Sequence, residues 1–226
     1  MDYWELKIVK MYRIVFLLLS SILFFSCANN KKKIIGLPYY NEPTFTPYFL
    51  SNKKEIKRKI NHTIADFSFL NQDSVIINQK TIEGKIHIAN FIFTSCGSIC
   101  PIMTKNLKFV NDSLNHNKNI IYLSYSVTPW IDKPSVLQKF KKNYEIQNKN
   151  WHFLTGEKEA IYKLARQSYF AEEDIGFSKD STEFLHTEHF ILVDRNKRIR
   201  GIYNGTLKLE MEQLISDIIN LENEDR

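Results

Sequence analysis

The sequence predicts an α/β protein in which one sheet lies between two layers of helices. Residues 85–93 and 120–127 are near-continuous apolar runs, which is typical of central strands that are buried on both faces. Segments with helical spacing of apolar residues follow each run. A pair of cysteines, Cys96 and Cys100, comes directly after the first run. The alternation of strands and helices therefore predicts a three-layer α/β/α arrangement, with the cysteines at the turn from a central strand into a helix.

Length and composition indicate one globular domain with a tail. The chain has 226 residues, of which 43% are hydrophobic and 13% aromatic, enough for a single well-packed core. The formal net charge is +6, but the lysines are scattered, without an arginine-rich helix or interleaved aromatic residues. We therefore expect no nucleic-acid partner. A solvated surface, or one that faces anionic lipid, accounts for the charge.

The N-terminal segment resembles a bacterial lipoprotein signal. Arg13 precedes an apolar run of 12 residues, 14–25, which ends at Ser26 and Cys27. A membrane-spanning helix needs about 20 residues, so the run has the length of a signal-peptide core. We expect residues 1–26 to be a signal peptide and Cys27 to carry the lipid, and an uncleaved membrane anchor is the alternative. Either one places the body of the protein outside the cytoplasm, and we expect it on the periplasmic side of the inner membrane.

A tether is predicted between the lipid and the folded domain. Residues 27–60 are polar and charged at first and then contain Pro38, Pro43 and Pro47, which favour an extended chain. Their aromatic neighbours predict an ordered arm that lies against the domain. The domain itself is expected to span residues 61–226.

The order of elements after the tether is that of the thioredoxin fold with an added N-terminal β-hairpin. Asp132 is a candidate N-cap of the second helix, with Pro134 in its first turn. The C-terminal part adds a hairpin and an amphipathic helix. The predicted elements are the hairpin extension 62–84, strand 85–93, helix 101–114, strand 120–127, helix 132–144, helix 157–169, strands 189–194 and 198–203, and helix 207–221.

The cysteine pair lies where backbone N–H groups and the positive end of a helix dipole converge. This environment lowers the pKa of a thiol and stabilises the thiolate. Ser98 is a candidate helix cap, and Pro101 fits the first turn because its missing N–H would be unpaired there. We expect both sulfurs at an electropositive, partly exposed site.

The spacing of the pair leaves two chemistries open. Three residues separate Cys96 from Cys100, one more than in the usual redox motif, and on a helix a separation of four places both side chains on one face. A disulfide remains possible. Two thiolates also select Cu(I), for which an imidazole is a suitable third ligand. Because lipid would occupy the third cysteine, Cys27, the pair is either a redox couple or a metal site.

The segment FIFTSCGSICPIM resembles the FxxTxCxxxCPxM signature of the Sco/SenC family, copper chaperones for cytochrome c oxidase. GKIHIANFIFTSC, SYSVTPWIDKP, WHFLTG and HTEHFILVDRNKRIRGIYNG follow the family in order, so the likeness covers residues 60–220. It implies a thioredoxin-like protein that holds one copper ion, Cu(I) and in some states Cu(II), through Cys96, Cys100 and His186. His186 is assigned because it lies eight residues ahead of Asp194.

The resemblance also implies a partner and a task. The partner is subunit II of cytochrome c oxidase or another copper-accepting respiratory protein, and the task is delivery of copper to its CuA site. Two positions depart from the family pattern. Thr128 stands where the family usually has Asp, a difference that bears on copper delivery more than on metal binding. Gly97 stands where Pro is common, and this glycine should loosen the loop.

The main alternative is a thiol–disulfide reductase that keeps the cysteines of a metal-accepting partner reduced. Thioredoxin-fold enzymes place a cis-proline before the third core strand, but this chain has no proline after Pro134. His186 precedes that strand instead, so a general oxidoreductase is not expected. A thiol peroxidase is disfavoured because no Arg is placed to activate peroxide. A purely structural lipoprotein would leave the cysteine pair unexplained.

The other candidate ligands are interpreted as structural. His189 follows His186 by three residues, and in an extended segment this separation points them to opposite faces. Met103 has a soft sulfur, but its spacing with Leu107 indicates a core position. The remaining histidines lack a partner at ligand spacing and are expected to be structural or surface residues: His62, His87, His116 and His152.

Overall fold

The computed structural model describes Trp4 and residues 36–115, 117–171 and 187–224. Met1–Ile35 and Gly36–Arg226 form separate compact units, and all elements below belong to the second. Five residues singled out above lie outside the described residues, namely Arg13, Ser26, Cys27, His116 and His186. In the described part of the chain, no helix is both long and apolar enough to cross a membrane.

A mixed nine-stranded sheet forms the centre of the fold, in the order β2-β1-β9-β8-β5-β6-β7-β3-β4. Strands β5, β6 and β7 are parallel, and the other pairings are antiparallel. The strands are β1 Tyr39–Tyr40, β2 Pro47–Tyr48, β3 Ser68–Asn71, β4 Ile76–Asn78, β5 Ile86–Ile92, β6 Ile120–Ser126, β7 Trp151–Thr155, β8 His189–Val193 and β9 Ile199–Asn204.

Helices cover both faces of this sheet, as predicted. In the described residues they are α1 Lys53–Lys59, α2 Gln79–Ile82, α3 Ile99–Ser113, α4 Pro134–Asn143, α5 Lys158–Ser168 and α6 Lys208–Glu224. Helices α3, α4 and α6 contribute to one hydrophobic core, and α5 contributes to the other. The three-layer α/β/α arrangement is therefore confirmed.

The two apolar runs are the central strands. All seven residues of β5 and all seven of β6 are buried, because β5 lies between β8 and β6 and is covered by helices on both faces. Burying one Ile side chain in this way stabilises the fold by about 1.5–3 kcal/mol. The extra hairpin is also present as β3 and β4, whose turn is fixed by Asn71 Oδ1 accepting from the backbone N–H groups of Asp73 and Val75.

The expected ordered arm is confirmed for residues 36–60, the part of it that the structure describes. Strand β1 pairs with β9, and Tyr39 is buried. Arg200 holds this segment: its Nη2 donates to the carbonyl of Leu37 at 2.7 Å and its Nε donates to that of Pro38 at 3.0 Å. The same guanidinium lies 4.0 Å from the centre of the Tyr39 ring. The arm is therefore packed as part of the compact unit.

Three local predictions need correction. Strand β7 was not predicted, since five residues with a polar His152 among them give too short a pattern. Helix α3 begins at Ile99 and not at Pro101. Asp132 does not cap α4, because Lys133 occupies the N-cap position and its side chain makes no capping hydrogen bond. The structure gives Asp132 a different role, described below.

Candidate metal-binding site

The cysteine pair lies at the carboxyl end of β5, where the chain turns into α3. The apolar strand ends before a polar loop, and Ser98 takes the N-cap position of α3 without a side-chain capping bond. Cys96 is in the loop, and its N–H donates to the carbonyl of Phe93 at 3.2 Å. Cys100 is the second residue of α3. The two cysteines therefore do not share a helix face, since only one of them is helical.

The two sulfurs differ in exposure. Cys96 is partly exposed, Cys100 is 3% exposed, and both are free thiols. Burial alone would raise the pKa of Cys96, but hydrogen bonds from the backbones of Cys100 and Ser98 outweigh it, so that pKa is lowered. Burial raises the pKa of Cys100 to about 12. The prediction that both sulfurs are partly exposed is therefore wrong for Cys100.

Asp132 fixes the loop that carries Cys96. This fully buried carboxylate accepts from Thr94 N at 3.2 Å and from Thr94 Oγ1 at 2.5 Å. It also accepts from Ser126 Oγ at 2.6 Å and from Thr128 Oγ1 at 2.9 Å. A buried charge needs such partners to offset its lost hydration. Asp132 thus joins the end of β6 to the residues just before Cys96.

Thr128 supplies one of these four hydrogen bonds through its side-chain hydroxyl. Its backbone N–H also donates to Ser126 Oγ at 3.1 Å. The threonine that replaces the usual Asp of the family pattern therefore belongs to the hydrogen-bond network around Asp132.

Three partly buried hydrophobic residues, Phe93, Ile99 and Tyr144, pack against the hydrophobic core that contains Cys100. Burial raises the pKa of Tyr144, and the two thiols raise it further, which places this phenol in their electrostatic neighbourhood. Neither Tyr144 nor Asp132 was recognised from the sequence as part of the site. The available signal was the Thr94, Ser126 and Thr128 hydroxyls at the ends of two adjacent strands.

The described residues do not include the predicted third ligand, His186. The next described residue, Thr187, is buried, and its Oγ1 lies 3.1 Å from Nδ1 of His189. Burial lowers the pKa of His189. Among the described residues, no group of three or more His, Cys, Asp or Glu side chains is arranged to hold a metal ion. The described donor set is therefore the two thiols.

The remaining candidates have structural environments. Met103 is fully buried in the core, as predicted. Nε2 of His62 donates to the carbonyl of Ser168 at 2.7 Å, and the ring packs against that of Phe170 with a centroid distance of 4.2 Å. His87 is fully buried, and its Nε2 lies 3.2 Å from the hydroxyl of Tyr169.

Comparison with known proteins identifies a family. The SCO1/SenC family model matches residues 56–222. A SCO1/SenC family lipoprotein from Bacillus anthracis has a structure with a TM-score of 0.63 at 30% identity, covering 73% of this chain and 98% of that one. BsSco, a member of the Sco family of cytochrome c oxidase assembly proteins with an identified disulfide switch, gives 0.61 at 31% identity, covering 73% and 95%.

A more distant structure contains copper. ScoI from Bradyrhizobium japonicum, solved with copper bound, gives a TM-score of 0.57 at 20% identity, covering 70% of this chain and 99% of that one. At this identity the likeness shows the shared thioredoxin-like fold.

Proposed function

Since the chain belongs to the SCO1/SenC family, we propose that it is a membrane-tethered copper chaperone. It binds one copper ion, chiefly Cu(I), through Cys96, Cys100 and His186. It delivers this ion to the CuA site of subunit II of a cytochrome c oxidase. Copper is the cargo of this process, and the chain's residues hold and release it.

The observation that carries the proposal is the pair of free thiols at the strand-to-helix turn. Thiolate sulfur is the ligand type that favours Cu(I). The difference in burial suits a carrier: Cys96 is accessible to an incoming ligand from a partner, while Cys100 binds from inside the core. Asp132 keeps the loop in place, so that little ordering is needed when the metal binds.

His186 is proposed as the third ligand on sequence grounds. Its separation of eight residues from Asp194 matches the Sco/SenC pattern. An imidazole nitrogen would complete a trigonal site with two sulfurs. His189 is the alternative third ligand, but its Nδ1 already lies 3.1 Å from Thr187 Oγ1.

The tether is part of the same proposal. Residues 1–26 act as a signal peptide, Cys27 carries lipid, and residues 27–60 join it to the domain of residues 61–226. The relative from Bacillus anthracis is a lipoprotein, and the segment before Cys27 has the composition of a lipoprotein signal. The lipid would hold the chaperone on the periplasmic side of the inner membrane, where a respiratory partner is embedded.

A Cu(I) titration tests the ligand set. The reduced protein is titrated without oxygen against a chromophoric chelator, for the wild type, His186→Ala, Cys96→Ser/Cys100→Ser and the control His189→Ala. We expect one tight equivalent that is lost without the thiols and weakened at least tenfold by His186→Ala, with His189→Ala unchanged. An unchanged Cu(I) affinity in His186→Ala, or a weakened affinity in His189→Ala instead, would contradict the proposed site.

The difference in exposure and in pKa between the two thiols favours a second candidate function, thiol–disulfide reduction. The thiolate of Cys96 would attack a disulfide of the partner, and Cys100 would then release the reduced partner by forming the Cys96–Cys100 disulfide. Two electrons pass to the partner, whose two sulfurs leave as thiols. Reduction of a disulfide-bonded CuA domain by the copper-free dithiol protein, abolished by Cys96→Ser, would establish this activity. Copper transfer without such reduction would exclude it.

A further inference from the structure

Three lysines surround a cavity at the other end of the sheet from the cysteines. Its volume is about 570 Å³. We call it the lysine cavity, and its lining residues are Lys85, Lys118, Gln147, Asn148, Lys149 and Asn150.

The fold gathers the three lysines because each lies just before a parallel strand. Lys85 precedes β5, Lys118 precedes β6 and Lys149 precedes β7. Parallel strands begin at the same edge of a sheet, so their leading residues come together. Cys96 follows the opposite end of β5, and a strand of seven residues spans about 23 Å. A ligand in the lysine cavity therefore leaves the cysteine pair accessible.

The wall of the cavity is held by hydrogen bonds and is therefore preformed. Asn148 Nδ2 donates to Asn111 Oδ1 at 2.5 Å, and Asn148 Oδ1 accepts from the N–H of Asn150 at 2.8 Å. Lys141 Nζ donates to the carbonyls of Asn148 and Trp151 at 3.0 and 2.6 Å. Lys141 thus fixes the loop before β7 while the three lining lysines remain at the cavity.

The lysine charges of the cavity face no carboxylate in its lining. Within residues 36–115, 117–171 and 187–224, none of the three lining lysines forms an ion pair. Other lysines do: Lys108 pairs with Asp112 at 2.6 Å, and Lys197 pairs with Asp66 at 3.0 Å. The three ammonium groups are strong hydrogen-bond donors, and an oxyanion can accept from several of them at once.

We propose that the lysine cavity binds a phosphate group, carried by a free phosphate monoester or by the headgroup of an anionic lipid. Phosphate oxygens accept hydrogen bonds from several ammonium groups at once. This inference goes beyond copper handling and does not rest on it. With a lipid headgroup in the cavity, the cysteine end of the sheet would point away from the bilayer.

Binding is tested on the full chain in a neutral maltoside detergent. The probes are inorganic phosphate, glycerol 3-phosphate, dihexanoyl phosphatidylglycerol and dihexanoyl phosphatidylcholine, and the readout is the amide shifts of residues 85, 118 and 147–150. We expect saturable shifts that the Lys85→Gln/Lys118→Gln/Lys149→Gln variant weakens at least tenfold. Response to the two free phosphates identifies a soluble ligand, and response to phosphatidylglycerol alone identifies a lipid.

A control variant removes three lysine charges from positions outside the cavity. Lys105, Lys133 and Lys163 are exposed and lie outside the cavity, so the variant with Gln at these three positions should change the affinity less than twofold. Equal weakening in both triple variants would mean general charge attraction and would overturn the proposal. No saturable shift with any probe, or equal binding of phosphatidylcholine and phosphatidylglycerol, would also overturn it.

Discussion

At the scale of single residues, the two cysteines show how position decides reactivity. Cys96 and Cys100 are close in sequence, but one is in a loop and the other in the first turn of α3. The pKa of the first is lowered by backbone hydrogen bonds, whereas that of the second is raised by burial. The sequence pattern predicted that the pair lies at a helix start. It could not predict the difference, which depends on how the loop packs against the core.

The hydroxyl of Thr128 should stabilise the buried carboxylate of Asp132. Thr128→Val keeps the shape of the side chain but removes the hydrogen bond of 2.9 Å. A hydrogen bond to a charged group contributes about 1.5–3 kcal/mol, and we expect a loss of this size in the free energy of unfolding, measured with urea. Thr128→Ser retains the hydroxyl and should lose clearly less. Equal stability of the Val variant and the wild type would contradict this role of Thr128.

At the scale of elements, the sequence was sufficient to predict the strands and helices that have a clear local pattern of apolar residues. The apolar runs of β5 and β6 and the helical spacing of α3 were sufficient to place the central layer and the cysteine turn. Strand β7 was missed because its five residues include the polar His152 and Thr155, whereas β8, of the same length, has four apolar residues in succession. Asp132 was assigned to a helix cap because a local rule fits it. Its real partners, Thr94 and Ser126, come from the ends of two other strands, so only the assembled sheet shows them.

The arm before α1 should depend on Arg200. Arg200 is 3% exposed on its side chain and pairs with Asp194 at 3.5 Å and Glu224 at 2.8 Å. Arg200→Met leaves the buried carboxylate of Asp194 unpaired, and breaking such a buried pair costs about 3–5 kcal/mol. It also removes the hydrogen bonds to the carbonyls of residues 37 and 38. We expect lower stability in guanidinium chloride and faster tryptic cleavage within Lys53–Lys59.

A neighbouring ion pair provides the control for this prediction. Lys197 and Asp66 are 3.0 Å apart, with side chains 35% and 63% exposed. Exposed pairs contribute about 0–1 kcal/mol, so Lys197→Met should change the stability little and leave the cleavage rate as in the wild type. Similar behaviour of the two variants would show that Arg200 does not anchor the arm.

At the scale of the whole molecule, buried histidines make the fold sensitive to acid. His87 is the second residue of β5, and its Nε2 lies 3.2 Å from the hydroxyl of Tyr169. That hydroxyl is 3.1 Å from the hydroxyl of Tyr125 on β6. Burial lowers the pKa of His87 to about 3 and that of His152 to about 4. Both rings are therefore neutral in the folded protein near neutral pH.

The direction of the pH effect follows from the protons that each state binds. In the unfolded chain a histidine has a pKa of about 6.5, so below that pH the unfolded state takes up a proton that the folded state does not. The stability is therefore fully present above about pH 6.5 and is lost progressively as the pH falls toward 3. For His87 alone the loss between pH 6.5 and 5 is about 2 kcal/mol, at about 1.4 kcal/mol per pH unit.

Replacing His87 should flatten the pH dependence of the stability. We expect His87→Gln, which can still hydrogen-bond to Tyr169, to be less stable than the wild type at pH 7.5 and to lose about 2 kcal/mol less between pH 6.5 and 5. Urea unfolding at several pH values measures both quantities. The partly buried His152 provides the comparison: His152→Gln should remove nearly as much of the loss between pH 6.5 and 5 but less of the loss below about pH 4, since the pKa of His152 is lowered only to about 4. A wild-type pH dependence in His87→Gln would mean that the acid sensitivity arises from other groups.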